Sequence, residues 1–172
     1  MHIPECYGYL RRSRRDLWAC LEGVPDEVLS KPVLPGKRFH CVKDLILHIP
    51  MIEDSWIHED ILRDTPVWEG VAALAGAKDG PNYAAFPLDT LLDYWRQVEA
   101  STLGYLERLG PEERARLVVV NGSKGEEHFT VDGLLWHVMV HEIRHGAQIG
   151  VLLQQAGIKP PFLDLLNYLP TV

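Results

Sequence analysis

Three histidines follow one another at intervals of four residues toward the end of the sequence, at His137, His141 and His145. Residues four apart on an α-helix lie on one face, so the three imidazoles project within roughly 80° of one another. Neighbouring imidazoles at this spacing can reach one metal ion, which is why the pattern recurs on metal-binding helices. Histidines so spaced are more often structural or surface residues, so the spacing alone leaves both interpretations open.

A further histidine, His48, favours the metal interpretation. It lies near the centre of the apolar face of an earlier helical segment, where an isolated imidazole needs a partner. The C-terminal histidines also share their stripe with apolar residues, which predicts that they face the core: Leu134, Val138, Ile149 and Leu152. Inward-facing imidazoles on two separate helices indicate an ion shared between them, a known way in which helical bundles build metal sites.

The elements that position these histidines are four amphipathic segments with helical periodicity, at about 4–22, 41–63, 88–109 and 131–155. We expect the third segment to end at Gly110-Pro111. In the second segment, we expect Leu62 to lie on the same face as His48. Segments near 20 residues long predict an all-α fold, a four-helix bundle in a single domain over residues 1–172. A Gly/Pro-rich stretch, 65–87, predicts a long connection between the second and third helices.

Two short β-like runs stand before the last helix, in the sequence LVVVNGSKGEEHFT. They flank the dipeptide Asn121-Gly122, a common turn signal of β-hairpins. We therefore predict a small hairpin between the third and fourth helices.

The composition limits the classes of function. Lys and Arg number 17 against 24 Asp and Glu, which gives a net charge of −7 and argues against a nucleic-acid partner. The three cysteines form no CxxC pair and suit a reducing compartment. The N-terminus lacks a hydrophobic signal core, and no apolar run approaches the roughly 18 residues of a membrane span. We expect a soluble, cytoplasmic protein with no membrane partner.

Two stretches of the sequence resemble the DinB/YfiT-like superfamily of metal-binding four-helix bundles. One is the histidine-bearing segment DLILHIPMIEDSW, and the other is the late motif HVMVHEIRHGAQIGVLLQQAG. The usual superfamily form of the late motif is close to HxxxHRGQI. This sequence departs from it beside the second histidine, where it reads His-Gly-Ala-Gln, while the spacing of the ligands is intact.

The resemblance implies that His48, His141 and His145 bind one divalent metal ion, with water or substrate in the remaining positions. Zinc, nickel, iron and manganese are all compatible with such a site. The Gly and Gln that follow His145 align the motif there, which leaves His137 outside the ligand set. We expect His137 to be an outer-shell residue or, in preference, a hydrogen-bonded histidine packed against the core.

Several polar neighbours could take part in chemistry at such a site. The candidate general bases are Glu142, Asp44 and Glu59, each of which is otherwise a solvated helix flank. The candidate cofactor-binding residues are Gln148, one turn beyond His145, and Arg14, which falls within an apolar stripe of the first helix. We expect Arg14 to extend its guanidinium out to solvent; the alternative is that it reaches into the bundle and meets a carboxylate or an anionic substrate.

The fourth segment is also apolar on the face opposite the histidines, so that face needs a cover. The residues concerned are Trp136, Met139, Val140, Ile143, Ala147 and Val151. A second copy of the chain is the simplest cover, which predicts a homodimer through this face. The alternative cover is the 65–87 connection, with its Trp68 and Tyr83.

Superfamily members include thiol-dependent transferases and isomerases in which a metal is thought to activate a small thiol. The resemblance therefore implies an enzyme that presents a thiolate to a small electrophilic substrate, with metal-assisted hydrolysis as a variant. The alternative is a non-catalytic, stress-associated metal-binding protein whose ion stabilises the bundle. A DNA-binding role has only the basic cluster Arg11–Arg15 in its favour.

Overall fold

The computed structural model describes residues 2–33, 41–75, 85–122 and 125–169. Four long helices form the bundle: α1 (Ile3–Glu22), α2 (Val42–Asp54), α3 (Leu88–Leu106) and α4 (Val131–Gln155). Helix α2 continues directly into a π-helical segment, Ser55–Leu62. Short helices occupy Asp26–Leu29, Val67–Gly70, Ala72–Leu74, Pro111–Ala115 and Leu165–Tyr168. The predicted all-α bundle is confirmed, and its single-domain organisation stays a prediction.

Local capping explains where the site-bearing helix α4 begins and ends. The Thr130 side chain accepts a hydrogen bond from the Gly133 N–H at 3.1 Å, which caps the N-terminus. Gly157 follows the C-terminus with φ of 78°, a left-handed conformation that glycine adopts without a steric penalty. The boundaries of α4 are those that the sequence predicts.

Helix α3 ends at Leu106, earlier than predicted. Gly110 instead caps the short helix Pro111–Ala115, where proline occupies the first turn. Proline suits that position because the first N–H groups of a helix have no intrahelical partner. The same Gly-Pro pair therefore starts a new helix here, and the predicted end of α3 was wrong by one turn.

The π-helical segment changes which residues of the second helix face the core. A π-helix places more residues in each turn than an α-helix, so the buried stripe shifts along the sequence. Glu53, Asp54, Ile57 and His58 are buried, whereas Leu62 is 38% exposed. The predicted position of Leu62 on the face of His48 is wrong for this reason.

The predicted hairpin is confirmed. Strands β1 (Leu117–Gly122) and β2 (Gly125–Thr130) pair antiparallel, with Gly122 opposite Gly125. Asn121 and Gly122 therefore lie within β1, and the connection itself is 123–124, which is outside the described residues. The hairpin leads directly into Thr130, the N-cap of α4.

A layer of polar side chains divides the core of the bundle into two apolar clusters. Each long helix carries one stretch for each cluster when α2 is taken together with the π-helical segment that continues it; in α1, Leu10 belongs to one cluster and Leu17 to the other. Between the two stretches each helix buries polar residues. We call this set the polar layer: Arg14, Glu53, Glu99, Thr102, His141, Glu142 and His145.

The described part of the 65–87 connection packs against α2 and α3, not against the outer face of α4. Trp68 is partly buried there, and Tyr83 lies outside the described residues. The chain beyond α4 instead folds back along α1, where the Tyr9 hydroxyl donates to the Leu163 carbonyl oxygen at 2.6 Å.

The outer face of α4 is only partly covered. Met139 is buried and Trp136 is half-buried, but the remaining members of the predicted apolar face are exposed: Val140, Ile143, Ala147 and Val151. Dimerisation through this face stays a prediction. Among the described residues, no helix is both long and apolar enough to cross a membrane.

Candidate metal centre

His48 from α2 meets His141 and His145 from α4, and one ligand nitrogen of each lies within 4.8 Å of the others. The Nε2 atoms of His48 and His141 are 3.0 Å apart. Imidazole nitrogens bind zinc and similar ions at about 2.0–2.1 Å, so two that share an ion lie within roughly 4 Å of each other. The nearest pair meets this condition, and the three histidines could hold a metal ion.

The protonation of the histidines suits metal binding. Burial, together with the neighbouring His145 and His48, lowers the pKa of His141 to about 3. Burial also lowers the pKa of His145, although its hydrogen bond to Gln148 acts in the opposite direction. Because only a neutral imidazole offers a lone pair to a metal, these environments keep the two ligands competent at neutral pH.

Gln148 orients one of the ligands. The Nδ1 of His145 lies 2.6 Å from Oε1 of Gln148, which can only accept a hydrogen bond. The proton of a neutral His145 is therefore on Nδ1, and its Nε2 carries the lone pair. Gln148 was predicted as a cofactor-binding residue, and its side chain lies in contact with the predicted ligand His145.

One edge of the centre opens to solvent. His48 is partly exposed, and Arg144 and Gln148 are exposed. His137 is exposed as well, with its ring 5.3 Å from the Trp56 ring and 6.1 Å from the His141 ring. The prediction that His137 packs inside the core is wrong. Around the circumference of α4, His141 lies at the edge of the buried face, and His137 lies beyond that edge.

Arg14 belongs to the polar layer and is 1% exposed. Its guanidinium donates to Glu142 at 2.7 Å, to Glu53 at 2.8 Å and to Glu99 at 3.1 Å. The expectation that it extends to solvent was wrong, because each of the other three long helices supplies one carboxylate inside the bundle. The alternative, that Arg14 meets a carboxylate, is what the structure shows.

Further donors complete the environment of these carboxylates. The hydroxyls of Tyr7 and Thr102 both donate to Oε1 of Glu53, at 2.5 and 2.7 Å. Burial raises the pKa of Glu142, against the guanidinium of Arg14, which lowers it. Glu142, a candidate general base from the sequence, follows His141 in the chain but has both carboxylate oxygens bonded to Arg14.

The other two candidate bases also have local partners. Asp44 is buried at the start of α2, where its carboxylate accepts a hydrogen bond from the Cys41 N–H at 3.1 Å. Glu59 is half-buried in the π-helical segment and accepts a hydrogen bond from the Ser55 hydroxyl. The expectation of a solvated helix flank is therefore wrong for Asp44 and Glu142, both of which are buried.

A further buried histidine, His58 in the π-helical segment, was not predicted as a site residue. The Nδ1 of His58 lies 2.7 Å from Oδ1 of Asp54, and its Nε2 lies 2.8 Å from the Ser101 hydroxyl. The hydrogen bond to Asp54 raises the pKa of His58. Asp54 also accepts from the N–H groups of Val67 and Trp68, both at 2.9 Å. The spacing of Asp54 and His58, four residues apart, was the available sequence signal.

Comparisons with known proteins identify the fold and the family. The chain is similar in structure to a conserved protein from Enterococcus faecalis, with a TM-score of 0.68 and 18% sequence identity. The alignment covers 88% of this chain and 95% of that one, and at this identity it shows the fold alone. A comparison with curated proteins found no match. The family model of the DinB family matches residues 1–171, and the chain therefore belongs to the DinB family.

Proposed function

We propose that this protein is a divalent-metal-dependent enzyme that activates a low-molecular-weight thiol and transfers it to a small electrophilic substrate. The single observation that carries the proposal is the convergence of His48, His141 and His145, whose ligand nitrogens lie within 4.8 Å of one another. Membership of the DinB family and the open edge beside these histidines support it. A site with three protein ligands leaves positions for exogenous molecules, as catalytic sites do.

A divalent ion at this centre would lower the pKa of a thiol that reaches it and so supply thiolate at neutral pH. The thiol would release its proton to solvent through the open edge. Its sulfur would then form a bond to the electrophilic carbon, and the leaving group would depart with the electron pair of the bond that breaks. The protein contributes neutral imidazoles on α2 and α4, and Gln148 fixes the ring of His145. The apolar clusters on both sides of the polar layer hold the two helices in register.

Zinc, nickel, iron and manganese all fit this donor set, because three imidazoles suit each of these ions. A metal-dependent hydrolase would use the same centre. The second candidate function is a non-catalytic metal-binding protein in which the ion stabilises the bundle. The partly exposed edge at His48 favours the enzyme, since structural ions are usually enclosed by four protein ligands.

We place this activity in the cytoplasm, because Cys6, Cys20 and Cys41 are free cysteines, as expected in a reducing compartment. The homodimer predicted from the outer face of α4 belongs to the same proposal. Light scattering on the purified protein tests it, and a monomer at micromolar concentration would contradict it.

The test of the proposed function is the metal content of untagged protein, measured by elemental mass spectrometry. We expect about one transition metal ion per chain, because three imidazole ligands suffice for a catalytic-type site. The variants His48→Ala and His145→Ala should each lose it. The matched control is His128→Ala, which removes an exposed histidine of the hairpin and should retain the metal.

Turnover distinguishes the two candidate functions. An enzyme should form a thiol adduct with an electrophilic test substrate, and His145→Ala should abolish that reaction. A well-folded wild-type protein that takes up no zinc or nickel would contradict both candidates. Metal binding without turnover for any thiol, with a large loss of thermal stability on chelation, would favour the non-catalytic candidate.

A further inference from the structure

Arg144 is a cationic, exposed side chain at the open edge of the metal centre. One of its guanidinium nitrogens lies 3.3 Å from Nε2 of His145, the nitrogen that carries the lone pair. On α4, Arg144 precedes Gln148 by four residues and follows His141 by three, so these three side chains share one face. The guanidinium therefore lies beside the position where an exogenous molecule would approach the histidines.

No carboxylate of the described ranges lies within ion-pair distance of Arg144. This distinguishes it from the arginines that the structure pairs with acidic residues: Arg11, Arg14, Arg15, Arg63, Arg96, Arg114 and Arg116. The nearest carboxylate along the helix, Glu142, is buried and bonded to Arg14. Within the described ranges, the positive charge of Arg144 thus has no carboxylate partner at the edge of the site.

The ligand set does not compensate this charge either. Three neutral imidazoles leave a divalent ion with its full charge, and Arg144 adds another positive charge beside it. A guanidinium offers paired N–H donors that match the two oxygens of a carboxylate. A molecule with a carboxylate close to its reactive atom would satisfy both charges at once.

We propose that Arg144 recognises a carboxylate on the thiol that the histidine centre takes, so that the substrate class is an acidic thiol. This inference rests on the proposed function, since it assumes that the centre holds a divalent ion and accepts a thiol. Arg144 is a binding residue in this scheme. It selects the thiol by charge, whereas His48, His141 and His145 hold the ion.

The test compares two small thiols on cobalt-loaded protein. Mercaptoacetate carries a carboxylate, and 2-mercaptoethanol carries a neutral hydroxyl at the corresponding position. Binding of each is followed by the thiolate-to-cobalt charge-transfer absorbance, which reports the thiol and needs no turnover. In Arg144→Gln we expect mercaptoacetate to bind roughly 10-fold to 100-fold more weakly, because a charge-assisted hydrogen-bonded pair is lost. The affinity for 2-mercaptoethanol should change by less than about 3-fold, since that thiol makes no such pair.

Two further variants sharpen the comparison. Arg144→Lys keeps the charge but loses the paired donors, and should retain part of the preference for mercaptoacetate. Arg108→Gln removes an exposed arginine whose described contact is the Gly104 carbonyl oxygen, and should behave as the wild type. Cobalt content is measured first in every sample, so that loss of the ion is separated from loss of thiol affinity.

The outcomes are distinguishable from failure of the proposed function. Wild-type protein that does not retain cobalt would overturn the metal centre itself, and this inference with it. Retention of cobalt with an equal effect of Arg144→Gln on both thiols would overturn the role of Arg144 alone. Failure of the cobalt form to bind mercaptoacetate would likewise overturn the acidic-thiol assignment while leaving the metal site intact.

Discussion

The polar layer has two parts that bury polar groups in different ways. We call the part around Arg14 the inner half and the part at the histidines the outer half. The inner half is charged and closed: one guanidinium, Arg14, bonds to carboxylates of Glu53, Glu99 and Glu142. The outer half is neutral and open: His141 and His145 are buried with lowered pKa values, and they meet His48 at the solvent edge. Consecutive residues, His141 and Glu142, belong to different halves because they point about 100° apart on the helix.

This difference separates a polar cluster whose charges are paired within the bundle from one that could hold a cation. The donors of Arg14 are directed at acceptors supplied by the bundle itself, so the inner half is complete without any other molecule. The outer half brings imidazole lone pairs together without a carboxylate among its three ligands, an arrangement that a cation would complete. Burial of either half costs desolvation energy, and the proposed metal ion would offset that cost in the outer half alone.

The largest expected effect comes from opening the closed half. Arg14→Met removes the guanidinium that the three carboxylates share. Glu99 keeps Arg15 as a partner, whereas Glu53 and Glu142 lose their cation. We expect a loss of about 3–5 kcal/mol in the free energy of unfolding, the usual cost of removing one partner of a buried ion pair. Thermal denaturation should show a decrease of roughly 6–20 °C in Tm for a domain of this size. Metal content should be retained in the protein that remains folded.

The control for this prediction is Arg11→Gln. The Arg11 side chain is 44% exposed and lies 3.6 Å from the buried carboxylate of Glu99, which Arg14 also binds at 3.1 Å, so loss of Arg11 leaves that carboxylate paired. Surface pairs contribute roughly 0–1 kcal/mol, and the variant should unfold close to the wild-type temperature. Similar losses for the two variants would show that the inner half is not the closed charged cluster described above.

A smaller effect is expected from the residue that orients a ligand. Gln148→Leu removes the acceptor for Nδ1 of His145 and releases both the tautomer and the orientation of its ring. We expect metal affinity to fall about 10-fold to 100-fold, the usual effect of removing the hydrogen-bond partner of a ligand. Competition with a chromophoric chelator measures the affinity, and Gln148→Glu, which keeps an acceptor, should restore most of it.

The matched control is Gln154→Leu, an exposed glutamine later on α4, which should leave metal affinity unchanged. If Gln148→Leu also left the affinity unchanged, the tautomer of His145 would not depend on this contact. The open half would then be held by packing alone.

Helical periodicity predicted the fold well because the four segments have long apolar stripes and clear stop signals. The boundaries of α4 follow from Thr130 at one end and Gly157 at the other, both of which are local signals. The spacing of His141 and His145 is also local, and His48 was predicted from its place near the centre of an apolar face and from the resemblance. No sequence signal marks the π-helical segment, so the exposed position of Leu62 was not predictable from a period of 3.6 residues. For His58 the available signal was its four-residue spacing from Asp54.

The closed half was not predictable for a different reason. Arg14 lies on an apolar stripe of the sequence, and an arginine at such a position usually extends its guanidinium to solvent. Its buried position depends on Glu53, Glu99 and Glu142, which come from three other parts of the chain. No local pattern links these residues. Only the packing of all four helices brings them within hydrogen-bond distance.

The smallest expected effect is the pH dependence of stability in metal-free protein. His141 has a folded pKa of about 3, below the unfolded value near 6.5, so the unfolded chain binds its proton first on acidification. Its term therefore costs stability as the pH falls from about 6.5 toward 3, by at most about 1.4 kcal/mol for each pH unit. His141→Gln removes this term, so its stability relative to the wild type should rise as the pH falls.

His58 supplies the opposite sign within the same fold. Its folded pKa is raised by Asp54, so its contribution is fully present below about pH 6.5 and is lost as the pH rises through the folded pKa. The free energy of unfolding of the wild type should therefore exceed that of His58→Gln most at low pH. Relative to His141→Gln, the free energy of unfolding of the wild type should decrease as the pH falls. Urea denaturation between about pH 5 and 8, with a chelator present, measures both differences while most carboxylates stay ionised. If the two stability differences changed with pH in the same direction, His141 and His58 would not have opposite pKa shifts. The contrast between a histidine without a carboxylate partner and one with such a partner would then be contradicted.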